Sequence, residues 1–251
     1  MLLDRIGEFV ALVLHHFLRH KARLLRMGAS VTTLPLLAGC AETYSTVHPA
    51  GPAAAAIATL WWVLLFGAVA IFLLVMLLLA LAFRRPASLP APSTDASRER
   101  FWIVGLGLGF SLSVLAALLA YGLIIGERLL PRPDADLVRV GAQASRWRWD
   151  FTYADMPGQA TQGVLHIPAG RPVDVEITAT DVIHSFWVPR LAGKLDAIPG
   201  HVNVLRIEAW SPGEYAGISS EFSGPGYREH RFTVVAHDGA AWEAFLRGEA
   251  P

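Results

Sequence analysis

A chain of 251 residues that is 53% hydrophobic and 17% charged, with a mean hydropathy of +0.42, is too apolar for an ordinary soluble domain. Its 21 basic residues balance 21 acidic ones, so it offers no cationic surface for nucleic acid, and that class of partner is excluded. The single cysteine, Cys40, excludes an internal disulfide framework. In chain order, residues 1–39 read as a precursor segment: Arg23 and Arg26 precede a short apolar run from Met27 that ends L-L-A-G-C at Cys40. That order is the pattern of a bacterial lipoprotein signal, in which cleavage frees Cys40 and its thiol takes a diacylglycerol. A cysteine buried as a small apolar residue is the alternative, and the basic–apolar–small order favours lipidation over it. Met27 is an alternative start to Met1. Removing residues 1–39 takes away five basic and two acidic residues and leaves a mildly acidic chain.

Residues 40–59 form a short stretch outside the membrane. The run 60–83 has no charge and is long enough for a hydrocarbon layer of about 30 Å. Trp61 and Trp62 stand at its start, where indole rings favour the headgroup region, and Arg84 and Arg85 stop it. A second span is expected over 101–125, and its Gly105, Gly107 and Gly109 permit close helix contact in lipid. The loop between them, 84–100, carries four arginines against Asp95 and Glu99, which makes it cytoplasmic. Cys40 and everything after Glu127 then lie on the opposite, periplasmic side.

From residue 137 to 240 the pattern changes to short strands punctuated by glycine and proline. Alternation is clear in V-D-V-E-I-T (173–178), where Val173, Val175 and Ile177 share one face. V-L-H-I-P-A-G (164–170), V-N-V-L-R-I-E-A (202–209) and R-F-T-V-V-A (231–236) read as further strands, with Pro-Gly turns at 157, 199, 212 and 225. The expectation is a two-helix transmembrane hairpin carrying an all-β Greek-key sandwich or barrel. The tail 241–251 opens with A-W-E-A-F-L, a candidate terminal helix.

Three segments within 181–230 go further: D-V-I-H-S-F-W-V-P (181–189), G-K-L-D-A-I-P-G (193–200) and P-G-E-Y-A-G-I-S-S-E-F-S-G-P-G-Y-R-E-H (212–230). With R-W-R-W-D-F (146–151) and the two spans, they resemble subunit II of the heme-copper respiratory oxidases over about residues 40–240. The resemblance implies a cupredoxin-like periplasmic domain. In copper-binding members the last segment reads roughly C-S-E-x-C-G-x-x-H-x-x-M, with one more ligand in D-V-x-H-S-F. Here that further ligand is kept as His184, the cysteine positions are Ser219 and Ser223, the second histidine position is Tyr227, and the methionine position is His230. A mixed-valence dicopper centre needs two bridging thiolates, and serine hydroxyls do not replace them. A dicopper centre is therefore excluded, and the S-G-P-G-aromatic ending resembles the quinol-oxidase branch, the type of the bo-type ubiquinol oxidases.

The same resemblance assigns the remaining candidates. Glu221 falls at a position that contributes to a magnesium ion shared with subunit I, a hard cation that takes oxygen ligands. Glu99 falls near the mouth of a proton pathway into subunit I; a solvated acid at a helix amino end, suited to the dipole, is the plainer reading and the one favoured. Arg190, Lys194 and Asp196 lie in a segment that packs on subunit I. Trp147 and Trp149 match a motif that passes electrons to copper in cytochrome c oxidases; without copper they are expected to be packing residues, in the core or at a subunit interface. His184 and His230 alone are too few for a stable metal site.

The function implied is that of a non-catalytic subunit II in a quinol-oxidising terminal oxidase of a bacterial inner membrane. It binds no cofactor by itself, while the hemes and copper belong to subunit I. Subunit III, membrane quinol and the lipid bilayer complete its partners. The alternatives are a cytochrome c oxidase subunit II that has lost its copper, and a lipid-anchored assembly or accessory protein.

Overall fold

A computed structural model describes residues 42–84 and 96–249. The precursor segment 1–39, Cys40, both candidate start residues and the arginine loop between 85 and 95 lie outside the described residues. A 3₁₀ turn, Glu42–Tyr44, leads into helix α1, Pro52–Phe83. Then come α2, Ala96–Arg100, a wide π-type stretch, Phe101–Phe110, and α3, Ser111–Arg128, which together form one continuous helix. Ten strands and a terminal helix complete the chain: β1 Val138–Ser145, β2 Arg148–Tyr153, β3 Ala160–Gln162, β4 Val164–Pro168, β5 Val173–Ala179, β6 His184–Trp187, β7 Lys194–Ala197, β8 Asn203–Ile207, β9 Gly213–Ser219, β10 Arg231–His237 and α4 Gly239–Leu246.

Helix α1 starts about two turns earlier than the charge-free run suggests. Gly51 caps it in an extended conformation and Pro52 supplies the first helical residue, where its missing N–H costs nothing. The extra turns pack on the sandwich, with Ala54 and Ala58 buried. Backbone hydrogen bonds sew this segment in: Ala50 N to Arg190 O (2.7 Å), Ala54 N to Leu191 O (3.2 Å) and Trp210 N to Ala50 O (2.9 Å). Gly51 is needed there because a Cβ would run into the carbonyl oxygen of Glu208. From Leu60 onward the apolar side chains are uncovered by the rest of the described chain. The second helix likewise begins before the expected residue 101 and ends after 125, taking Glu99 into its first turns and Glu127 into its last. Both helices are long and apolar enough to cross a bilayer.

The β domain is a sandwich of two five-stranded sheets, ordered β3-β2-β1-β5-β8 and β4-β10-β9-β6-β7. Two parallel pairings, β1 with β5 and β4 with β10, are crossovers, so the chain does not simply meander. The alternation read at 173–178 is realised in β5, where Val173, Val175 and Ile177 are fully buried. Asp174, between them, is also buried, because Arg206 on the neighbouring β8 grips both of its carboxylate oxygens at 2.7 and 2.9 Å. An aromatic stack of Trp149, Phe151, Phe186 and Phe232 fills the centre. Gly217 on β9 leaves the space into which the Phe232 ring packs. The candidate terminal helix is present, with Trp242 and Phe245 buried and Asp238 capping it through its side chain to Ala241 N at 2.8 Å.

Candidate functional site

The segments that carry the copper-type motif converge at one end of the second sheet. His184 opens β6, Ser219 closes β9, and His230 directly precedes β10. The register pairs Phe186 with Ser219, and Ser219 N donates to His230 O at 2.8 Å, so three elements hold the two imidazoles side by side. Both rings are fully buried, with centroids 4.9 Å apart and planes nearly perpendicular. Between β9 and β10 the chain wraps around the site through Gly224 and Gly226, both in the left-handed region that favours glycine.

His184 is oriented by Asp181. The Asp181 carboxylate accepts from His184 Nε2 at 2.9 Å, from Val182 N at 2.7 Å and, through its other oxygen, from Arg146 N at 2.9 Å. Burial works against the charge, but the hydrogen bonds from His184 and the two amides outweigh it and hold the carboxyl at about 2. The ionised Asp181 accepts the Nε2 proton of His184 and leaves Nδ1 facing away from it. Among the described residues that Nδ1, the Ser185 hydroxyl and Trp149 Nε1 meet no hydrogen-bond partner, and the His230 ring meets none beyond a backbone contact with Arg148. Burial lowers the pKa of His230 and keeps its ring neutral.

The serines aligned with the cysteine positions expected from the sequence are engaged with backbone. Ser219 Oγ accepts from Ser185 N at 3.2 Å, and Ser223 Oγ donates to Glu221 O at 3.1 Å. Both serines are buried. These residues do not fit a dicopper centre, since no sulfur is present and both hydroxyls already hold the loop. Among the described residues no group of three histidine, cysteine or acidic side chains is placed to hold a metal ion.

The other expected residues separate. Trp149 is core, stacked on His230 at 5.4 Å. Trp147, two residues away, is 40% exposed and forms a lid: its ring meets His184 and His230 edge-on at 6.4 and 6.0 Å and lies against Gly226. The packing role expected of both tryptophans thus divides into one core residue and one cover. Tyr227 lies on the rim, its ring 5.4 Å from the exposed Phe222. Glu221 turns its carboxylate back onto Phe222 N at 2.9 Å. Arg190 is used within the chain, donating to His48 O at 3.1 Å and lying over the Tyr215 ring at 5.8 Å. Lys194 is exposed beside a crevice of about 310 Å³ that Trp187, Ala54 and Ile57 also line. The Asp196 carbonyl accepts from Asn203 at 2.7 Å. Glu99 is exposed on α2, far along the chain from this site.

Sequence reading missed Asp181 as a functional residue, although it opens the D-V-I-H motif and an acid three residues before a histidine is a usable signal. It also missed Arg146, whose Nε donates to Ser223 O at 3.1 Å and ties the Trp147 lid to the loop.

Comparison with known proteins agrees with this geometry. Residues 150–236 match the family described as cytochrome c oxidase subunit II, periplasmic domain. The ubiquinol oxidase subunit 2 of Acetobacter aceti is 29% identical over 90% of this chain and 75% of its own length. Cytochrome c oxidase subunit 2 of Alkalihalophilus pseudofirmus is 33% identical over 54% of this chain, but the chain spans only 41% of that relative. The periplasmic domain of subunit II of cytochrome oxidase from Bradyrhizobium japonicum aligns over 47% of this chain and 95% of that domain, with 23% identity and a TM-score of 0.44. The family match is thus confined to the sandwich, residues 150–236, while over most of its length, both apolar helices included, the chain is similar to ubiquinol and quinol oxidase subunits 2.

Proposed function

We propose that the chain is the subunit II of a terminal oxidase that takes electrons from a membrane quinol, reduces O₂ to water and translocates protons. The observation that carries this reading is the pair Ser219 and Ser223, whose hydroxyls serve the backbone where an electron relay needs thiolates. The relatives that align along most of the chain, such as that of Acetobacter aceti, are ubiquinol or quinol oxidase subunits 2. Hemes and copper then belong to subunit I, and this chain supplies a dock and a periplasmic cover without a redox group of its own. Arg190, Lys194 and Asp196, with Trp147, are assigned to contact with subunit I, and subunit III is a further neighbour. Glu221 is assigned one oxygen ligand of a magnesium ion completed by subunit I, and Glu99 a place at a proton entrance. Cys40 is assigned the lipid anchor of a two-pass inner-membrane protein.

The test is O₂ uptake by the complex purified from membranes, driven by reduced quinol or by reduced cytochrome c. Quinol-driven uptake is expected. Uptake with cytochrome c while quinol is inert overturns the reading in favour of a cytochrome c oxidase subunit II that has lost its copper, the name borne by the Alkalihalophilus relative. Recovery of the chain without any heme-bearing partner favours an accessory protein instead.

A further inference from the structure

At the opposite end of β10 from the copper-type site, a second pair of histidines is built differently. His166 on β4 and His237 at the end of β10 approach edge to edge, Nδ1 to Nε2 at 2.8 Å, with ring planes within 14° of each other. Two imidazoles in that arrangement share a single proton: one ring donates it and the other accepts. Helix α4 lies on top. The Phe245 ring spreads over both imidazoles, 4.5 Å from His166 and 5.8 Å from His237 and nearly parallel to each. Trp242 stacks on Phe245 at 5.5 Å, and the Tyr153 ring closes the far side edge-on at 5.0 Å. The His pair is therefore the platform on which the C-terminal helix sits, and beneath it lies β4, the edge strand of the second sheet.

We propose that the His166–His237 pair is a proton-operated clasp for the C-terminal helix. While the pair shares one bridging proton, α4 stays seated. When each ring carries protons on both nitrogens, two N–H groups point at one another, the rings repel, and α4 lifts off the β4 edge.

The surroundings set the direction. Burial first, then the charge of His237, press His166 down to about 4, and burial presses His237 down although Asp238 works the other way. From β2 the facing group is Tyr153, whose hydroxyl bonds the His166 amide and Thr161, and whose burial raises its pKa so that it stays neutral. From the turn before α4 the facing group is Asp238. On α4 itself Glu243 and Arg247 are exposed, and Arg247 is paired with Glu249. None of these supplies a counter-charge between the rings. Both histidines titrate lower with α4 docked than the ordinary 6.5, so docking is at full strength above that value and is lost as pH falls toward about 4. The pair takes up its protons in two steps whose midpoints belong to the pair and not to either ring.

The test uses the full chain in detergent micelles and follows amide hydrogen exchange of residues 238–249 between about pH 7 and pH 4, corrected for intrinsic exchange and referenced to β9. Protection of α4 is expected to fall on the order of a hundredfold while β9 stays protected. In the double variant H166Q/H237Q, which cannot titrate, that pH dependence is expected to vanish. Unchanged protection of wild-type α4 across the range, or the same loss in a folded double variant, overturns the proposal. If the variant loses β9 protection at neutral pH, exchange at the imidazole C2 position of the native chain decides. Midpoints for His166 and His237 well below 6.5 support the clasp, and ordinary midpoints overturn it.

Discussion

Two pairs of histidines, one fully buried and one partly buried, stand at the two ends of the same strand, and they differ in what their nitrogens meet. His166 and His237 bond to each other and are roofed by aromatic rings. His184 and His230 are closer by ring centroid but do not bond each other: among the described residues His184 Nδ1 has no partner and the His230 ring has only a backbone contact with Arg148. Proximity of imidazoles is thus a poor guide to their role. A pair that satisfies its own hydrogen bonds is a closed structural unit. A pair whose rings are buried without bonding each other leaves its nitrogens open to other use.

The largest effect that sharpens this contrast is chemical. The fourfold variant S219C/S223C/Y227H/H230M restores the missing ligand types on the standing framework. It is expected to take up two copper ions and to show intense thiolate-to-copper absorption, while wild type shows neither in metal analysis and visible spectra. Failure of the folded variant to bind copper would mean that the loop, and not only the ligands, has changed. Next in size is W149A. It removes the wall behind His230 and the centre of the aromatic stack, and a loss of about 3–5 kcal/mol is expected in thermal or denaturant unfolding.

A smaller effect tests the comparison itself. H237F leaves His166 without its hydrogen-bond partner and is expected to cost about 1–2 kcal/mol at neutral pH. H230F gives up only a backbone contact with Arg148 and keeps a ring against Trp149, so a loss below about 1 kcal/mol is expected. Equal losses from the two substitutions would erase the distinction. Smallest is D181N. The Asp181 carboxyl is held at about 2, below its ordinary value near 3.8, so its stabilisation is complete above that value and fades as pH falls through about 2. With the side chain 31% exposed, a cost of about 1 kcal/mol at neutral pH is expected, and the gap to wild type should close in acid denaturation.

What could be read from the sequence follows from how local each cause is. The alternation in β5 is legible because a strand with one buried face repeats every second residue, and the D-V-I-H-S-F block is legible because its residues are contiguous. Strand β9 was not separately legible: in G-E-Y-A-G-I-S the small residues answer to the Phe232 ring on β10, a neighbour the sequence does not announce. The early start of α1 was hidden for a similar reason, since Ala54 and Ala58 face a sandwich folded from residues far downstream. Trp147 and Trp149 look alike in R-W-R-W-D-F, yet strand alternation sends one inward and leaves the other at a hairpin tip over the histidines. The His166–His237 pair joins residues 71 apart and carries no motif at all.

The seam at residues 50–54 has a mechanical meaning. Helix α1 passes from sandwich to membrane without a linker, gripped on both sides by backbone hydrogen bonds from residues 190–191 and 210. The β domain is therefore not a tethered float free to sample positions above the bilayer. It is the head of a lever whose shaft is the first transmembrane helix. A change in the tilt of that shaft would be passed to the sandwich through the seam at residues 50–54.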